Sequence, residues 1–151
     1  MKPLTTLQIN KILKNNPSTK NFIGTFPACI IPKTNKKNYS FIINTHDHFN
    51  SGEHWVAFVV RNKKTYFFDS FGRNPFHYHF PKYFTTICKK FSTIHYNSKQ
   101  IQGFDKVSCG YFCIHFIYFM SYNLNYSDFL KEYSKNFEKN DKIVYSIVKS
   151  L

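Results

Sequence analysis

The run from Cys109 to Tyr122 has almost no polar surface: Tyr111, Phe112, Ile114, Phe116, Ile117, Tyr118, Phe119 and Met120 fill it, with Cys113 and His115 among them. A helix apolar on every side cannot lie on a protein surface, so the run predicts a helix buried at the centre of the fold. It is too short, and carries His115, for a membrane span of roughly 18 apolar residues. The rest of the chain has to cover it.

Leu4, Leu7, Ile12 and Leu13 recur at roughly helical spacing behind Thr5 or Thr6, which predicts an N-terminal helix ending near Asn16-Pro17. A loop-rich stretch with Pro27, Pro32, Lys33, Lys36 and Lys37 follows. Three β-like runs come next, Tyr39–Asn44, Trp55–Val60 and Thr65–Phe68, with Asn62-Lys63-Lys64 as a hairpin turn. Phe71-Gly72-Arg73-Asn74-Pro75 breaks the pattern. Pro81 can open a helix to about Phe91, and Thr93–Tyr96 reads as a short strand. Toward the C-terminus Leu130, Tyr133, Phe137, Val144, Val148 and Leu151 mark an amphipathic core face. At 151 residues, without repeats or Gly/Ser linkers, this is one α+β domain over 1–151. Its central helix packs against a small, mainly antiparallel sheet.

The start, Met1-Lys2-Pro3-Leu4-Thr5-Thr6, lacks the apolar run of a signal peptide. Four cysteines (Cys29, Cys88, Cys109, Cys113) without a secretion signal suggest reduced thiols in a protein that is not secreted. Lys+Arg number 21 against 8 Asp+Glu, a formal charge of +13. Such a chain expects a polyanion such as nucleic acid, although A/T-rich coding also enriches Lys, Asn, Phe, Tyr and Ile. Lys131, Lys135, Lys139 and Lys142 recur at helical spacing and are the expected nucleic-acid-binding stripe.

Four polar features stand out: His54 in Gly52-Glu53-His54-Trp55, Asp69 after Tyr66-Phe67-Phe68, Gln102 in Ile101-Gln102-Gly103, and Cys109-Gly110 opening the buried run. A cysteine at a helix N-terminus meets the positive end of the macrodipole, which favours thiolate. A nearby His completes a thiolate–imidazolium pair, and an Asp fixes its tautomer. Residues at the ends of adjacent strands meet at one sheet edge, so His54 and Asp69 are expected neighbours. Gln102 and the Cys109 N–H are candidate oxyanion donors. Each feature alone has a bland reading in packing or turn formation; the order His, Asp, Gln, Cys is the specific signal.

With these segments in place, the chain resembles the adenovirus-type cysteine proteases, the adenains, and more distantly the SUMO-deconjugating proteases. The resemblance lies in Gly-Glu-His-Trp-Val-Ala-Phe (52–58), Tyr-Phe-Phe-Asp-Ser-Phe-Gly (66–72) and Ile-Gln-Gly through Ser-Cys-Gly-Tyr-Phe-Cys (101–113). Phe22–Phe26, Ile43–Thr45 and, more weakly, Asn140–Leu151 add to it. It implies an adenain-like, papain-like fold with His54 as base, Asp69 as its orienting acid, Gln102 at the oxyanion and Cys109 as nucleophile. Adenain has Glu where this chain has Asp69; the SUMO-deconjugating enzymes have Asp. Trp55, Gly52 and Gly110 are the expected substrate-binding positions, Trp55 beside a narrow cleft that suits Gly near the scissile bond. The implied function is viral maturation: a monomeric endopeptidase cutting virion precursor proteins near Gly-containing motifs, in the virion and infected-cell nucleus or the cytoplasm.

Two alternatives remain beside it. One is an isopeptidase removing ubiquitin or a ubiquitin-like modifier; the other is a basic, non-enzymatic nucleic-acid-binding virion protein. No metal is expected, since Cys113 shares a helix face with Cys109 but His115 does not, and the sequence has no C-x-x-C. His46, His48, His77 and His79 are expected in loops, and Cys113 in the core. The family uses DNA as a cofactor, and adenain is activated by a viral peptide that adds a strand and forms a disulfide. The cysteine for that disulfide is missing here. Phe91 occupies the matching position, and Cys88 lies about one turn earlier, buried in the expected 81–91 helix. The cofactors the resemblance implies are therefore DNA and either an activating peptide held without a covalent bond, by β-augmentation and an apolar contact at Phe91, or no peptide cofactor at all.

Overall fold

The computed structural model describes residues 1–30, 32–45, 54–78, 80–104 and 106–151. Helix α1 (Thr6–Asn15) starts at a capping box: the Gln8 N–H donates to Thr5 Oγ1, and the Thr5 N–H donates to Gln8 Oε1. Its buried face is Ile9 and Leu13, with Leu4 buried just ahead of it, whereas Leu7 is 80% exposed. The sequence reading placed Leu7 inside; the helix phase set by the cap turns Ile9 inward instead.

Strands β1 (Phe22–Pro27), β2 (Tyr39–Asn44), β3 (Trp55–Arg61), β4 (Lys64–Phe68) and β5 (Ile94–Tyr96) form one sheet in that order. The β2–β3–β4 meander is antiparallel, while the outer pairs β1–β2 and β4–β5 are parallel. The sheet is thus mixed, its antiparallel part central. Asn62 (φ 52°) and Lys63 (φ 62°) both take left-handed backbone, the two-residue turn whose twist matches a hairpin. β1 lies in the stretch read from sequence as a loop.

Side chains alternate across the sheet, so its two faces make two cores. Ile42, Ala57, Val59 and Phe68 face helix α3 (Cys109–Met120), with α1, α4 (Tyr126–Lys131) and α5 (Phe137–Lys149) around it. Phe41, Ile43, Val56, Phe58 and Phe67 face α2 (Lys82–Cys88). Nearly every residue of α3 is buried, as its apolar run demands. Arg61 ties off the helix's far end by donating to the Met120 and Leu124 carbonyls at 2.9 and 2.6 Å.

Phe116 sits at the centre, fully buried, with ring centroids 5.0 Å from Phe68 and Tyr126 and 5.4 Å from Phe129. Phe116→Ala is expected to lower stability by about 3–5 kcal/mol, transfer and cavity effects together. Urea unfolding checks this, and a loss under about 1 kcal/mol would contradict the central placement of α3.

Candidate active site

His54 directly precedes β3 and Asp69 directly follows β4. These strands pair with Ala57 opposite Phe68. Continuing that register sets His54 opposite Phe71 with Asp69 close by, and the rings of His54 and Phe71 stack at 4.6 Å and 14°. His54 Nε2 lies 2.6 Å from Asp69 Oδ1. That leaves Nδ1 as the ring nitrogen for Cys109, whose side chain also hydrogen-bonds His54. Cys109 is the first residue of α3 and is 5% exposed. Two strand ends and one helix start therefore meet at one point.

The Asp69 carboxylate is fully buried and both its oxygens are engaged. Oδ1 accepts from the Phe71 N–H at 3.1 Å besides facing His54. Oδ2 accepts from Arg73 Nε at 2.7 Å and from the Arg73 N–H at 3.3 Å. The Arg73 guanidinium lies 5.0 and 4.8 Å from the ring centroids of Phe71 and Phe80, held by cation–π contact. The Asp69 backbone pairs with a side chain: its N–H donates to Asn97 Oδ1 and its carbonyl accepts from Asn97 Nδ2, at 3.2 and 2.8 Å. The single Tyr126 hydroxyl proton is in turn shared between the Phe67 carbonyl and Asn97 Oδ1, at 2.6 and 2.9 Å. Gly72 closes the turn with its N–H on the Asp69 carbonyl. Its φ is +75°, and a Cβ there would sit 2.8 Å from the Lys99 backbone, so the turn requires glycine.

Burial alone would lower the His54 pKa. The charge and hydrogen bond of Asp69, reinforced by those of Cys109, raise it instead, to about 9. Burial alone would raise Asp69, but His54 and Arg73 hold it below its ordinary value of 3.8. At neutral pH the pair is therefore an imidazolium beside a carboxylate, the charge state that a thiolate–imidazolium pair requires of its histidine.

Gln102 is fully buried behind Asp69. Its N–H donates to the Ser70 carbonyl, its Oε1 accepts from Ser70 Oγ, and its Nε2 donates to the Lys106 carbonyl at 3.0 Å. The Ser108 hydroxyl at the α3 N-cap donates to Asp141 Oδ1 at 2.6 Å and does not cap the helix.

The expected substrate positions fare differently. Trp55 is 2% exposed, and a Cβ on Gly110 would lie 3.2 Å from its Cδ1 and 3.3 Å from Leu4 Cβ. Both residues are packed at the start of α3, next to Cys109, where they support the helix start. Gly52 lies outside the described residues, as do His46, His48 and His79. The lysine stripe is broken as well. Lys131 ends α4, Lys135 lies in the connection, and only Lys139 and Lys142 share α5. Asn136 caps α5, and the Asn140 side chain binds both the N–H and the carbonyl of Ser134, which fixes the break. All four lysines are exposed.

Cys113 Sγ donates to the Trp55 carbonyl, and His115 Nδ1 shares a hydrogen bond with the Tyr133 hydroxyl. Burial lowers the His115 pKa to about 4, so it is a neutral core residue. Among the described residues no group of His, Cys, Asp and Glu is arranged to hold a metal, and no helix is long and apolar enough to cross a membrane. Arg73, Asn97 and Tyr126 were not singled out as site residues from sequence. Only the scarcity of arginine, at Arg61 and Arg73 alone, offered a hint.

The family model described as adenovirus endoprotease matches residues 22–133, which contain His54, Asp69, Gln102 and Cys109. The chain belongs to the adenovirus endoprotease family. It is therefore grouped with cysteine endopeptidases. Among solved structures it is similar to the ASFV pS273R protease, with a TM-score of 0.60 at 14% identity over 92% of this chain and 64% of that one. A selenomethionine structure under the same name gives 0.47 at 20% identity, over 72% and 43%. The chain thus spans a little under two thirds of the first of these neighbours, a likeness that concerns the fold. Among curated proteins no sequence matches.

The His54–Asp69 pair makes stability depend on pH. His54 has a raised pKa, so its contribution is complete below pH 6.5 and fades as pH rises to about 9. Asp69 has a lowered pKa, so its contribution is present above pH 3.8 and fades below it. Wild-type stability should therefore fall between pH 6.5 and 9 more steeply than that of Asp69→Asn, as read by urea midpoints across that range. Parallel curves would show that the pair is not coupled.

Proposed function

We propose that the chain is a single-domain cysteine endopeptidase that cuts viral precursor proteins after small, Gly-containing motifs. The observation that supports this best is the hydrogen-bonded series Cys109, His54, Asp69, with the cysteine at the start of a buried helix. In this reading Cys109 Sγ attacks the scissile carbonyl carbon while His54 Nδ1 carries the proton. The C–N bond then breaks as that proton passes to the leaving amine. Water, deprotonated by His54, releases the acyl group from sulfur. Asp69 keeps His54 in register and charged. The Cys109 N–H and Gln102 Nε2 donate to the oxyanion; Gln102 Nε2 carries two hydrogens, of which one serves the Lys106 carbonyl.

The preference for Gly near the cut rests on family resemblance; Trp55 itself is buried against Gly110. The same triad would serve an isopeptidase. Diglycine-linked modifier substrates assayed beside viral precursor peptides separate the two, and family membership favours the precursors. The remaining reading, a nucleic-acid-binding virion protein without activity, gives the Cys109–His54–Asp69 arrangement no role. The proposed setting is the virion and infected-cell nucleus, or the cytoplasm.

For an activating peptide, the burial of Cys88 supports a non-covalent hold. Its thiol is pushed up to about 12 by desolvation and is fully buried at the last residue of α2, out of reach of a strand bound at the surface. Phe91 stacks on Phe58 and Phe41 at 5.8 and 6.5 Å and is half-buried, so only its outer edge is available to a peptide.

Cys109→Ala should lower kcat/KM on a precursor peptide by at least about 10⁴-fold, because the members of such a site act as a unit. Its urea midpoint should stay near wild type. Near-normal cleavage by this variant would end the peptidase reading. For DNA, the charge of +13 predicts non-specific binding that weakens with salt, with a log–log slope of about −0.9 per phosphate contacted. Duplex titrations from low to high salt measure it, and an affinity flat with salt would refute it.

A further inference from the structure

The loop leading into α3 carries an aromatic side chain that the fold does not bury. Phe104 is 71% exposed, yet its ring lies 4.8 Å from Phe71 at a tilt of 35°. Phe71 in turn stacks on His54. The three rings form a row from the catalytic imidazole out to the surface. The middle ring of the row and its outer loop are both braced. Arg73 sits against Phe71 and is anchored on Asp69. The loop bearing Phe104 is tied by the Lys106 N–H on the Gly103 carbonyl and by Gln102 Nε2 on the Lys106 carbonyl. Phe104 is thus an exposed apolar side chain on a braced loop, joined through one ring to the reacting group.

We infer that Phe71 and Phe104 form a subsite for an apolar side chain on the leaving-group side of the scissile bond. The inference rests on the peptidase reading, and the chemistry of that reading fixes the side. The proton on His54 goes to the departing amine, so the segment that begins with that amine lies beside the imidazole when the C–N bond breaks. Around that ring, Asp69 takes Nε2, Cys109 takes the remaining nitrogen, and Phe71 covers one face. A segment leaving the imidazole along this row of rings meets Phe71 and then Phe104. The occupant is an aromatic or large aliphatic peptide side chain. It would remove the Phe104 ring from water and, if aromatic, stack on it.

The test uses peptides with one common acyl half and either Phe, Leu, Gly or Ser directly after the scissile bond. Phe104→Ala should lower kcat/KM about 10-fold for the Phe and Leu peptides and less than about 2-fold for the Gly and Ser peptides. Phe104→Leu should restore most of the difference. Equal losses in both sets, or none in either, would overturn the subsite. A second arm does not depend on cleavage: fluorescence anisotropy of labelled peptides that begin with Phe, matching the released amine half. Their Kd should weaken about 10-fold in Phe104→Ala, whereas peptides that begin with Gly should bind wild type and variant alike. Should wild type cleave none of the peptides, the peptidase reading fails. The anisotropy arm then decides the subsite alone, and identical Kd values for wild type and variant would reject it.

Discussion

A carboxylate with no exposed surface has to be paired, and Asp69 is paired on both oxygens. An unpaired carboxylate in such a place would be neutralised or would unfold its surroundings. That demand organises the chain around it. Gly72 lets the backbone turn back so that Arg73 can reach Oδ2, and Asn97 takes over the hydrogen bonds that β4 loses where its ladder ends. Tyr126, from α4 on the other side of the sheet end, fixes Asn97. The position of His54 is thus set by elements spread over much of the sequence.

Helix α3 supplies the other half. Its apolar surface forces it between the sheet and the outer helices, so its first turn arrives at the sheet end without a choice of register. Gly110 permits the approach, since Trp55 and Leu4 pack where a side chain would be. Ser108 spends its hydroxyl on Asp141, so the first-turn N–H groups are not consumed by a side-chain cap. A helix start with uncapped donors beside a cysteine is the arrangement that an oxyanion needs.

What the sequence revealed follows from where the determinants lie. β2, β3 and β4 carried their own signals, β-branched and aromatic runs bounded by polar turns, and formed almost where expected. β1 did not: Gly24 and Pro27 interrupt its run, and its parallel pairing with β2 shifts register between Phe22 and Gly24. Its strand character comes from its neighbour. His54, Asp69 and Cys109 were legible because each sits at the end of a readable element. Arg73, Asn97 and Tyr126 were not, because their roles come from contacts between residues distant in sequence. The four lysines do not share one helix, for a local reason: their spacing runs across a helix break that the Asn136 cap and the Asn140 side chain disclose.

Arg73 also bears on the chemistry through simple charge counting. Asp69 and Arg73 neutralise each other, so a protonated His54 is left as the uncompensated charge in a place where it is only 14% exposed. Burial opposes that charge, and Cys109 joins Asp69 in sustaining it. Asp69 therefore serves two cations with one negative charge. Arg73 fills Oδ2 and leaves Oδ1 to His54, so the two cations together fix the orientation of the carboxylate, and the carboxylate in turn holds the imidazole in register beside Cys109.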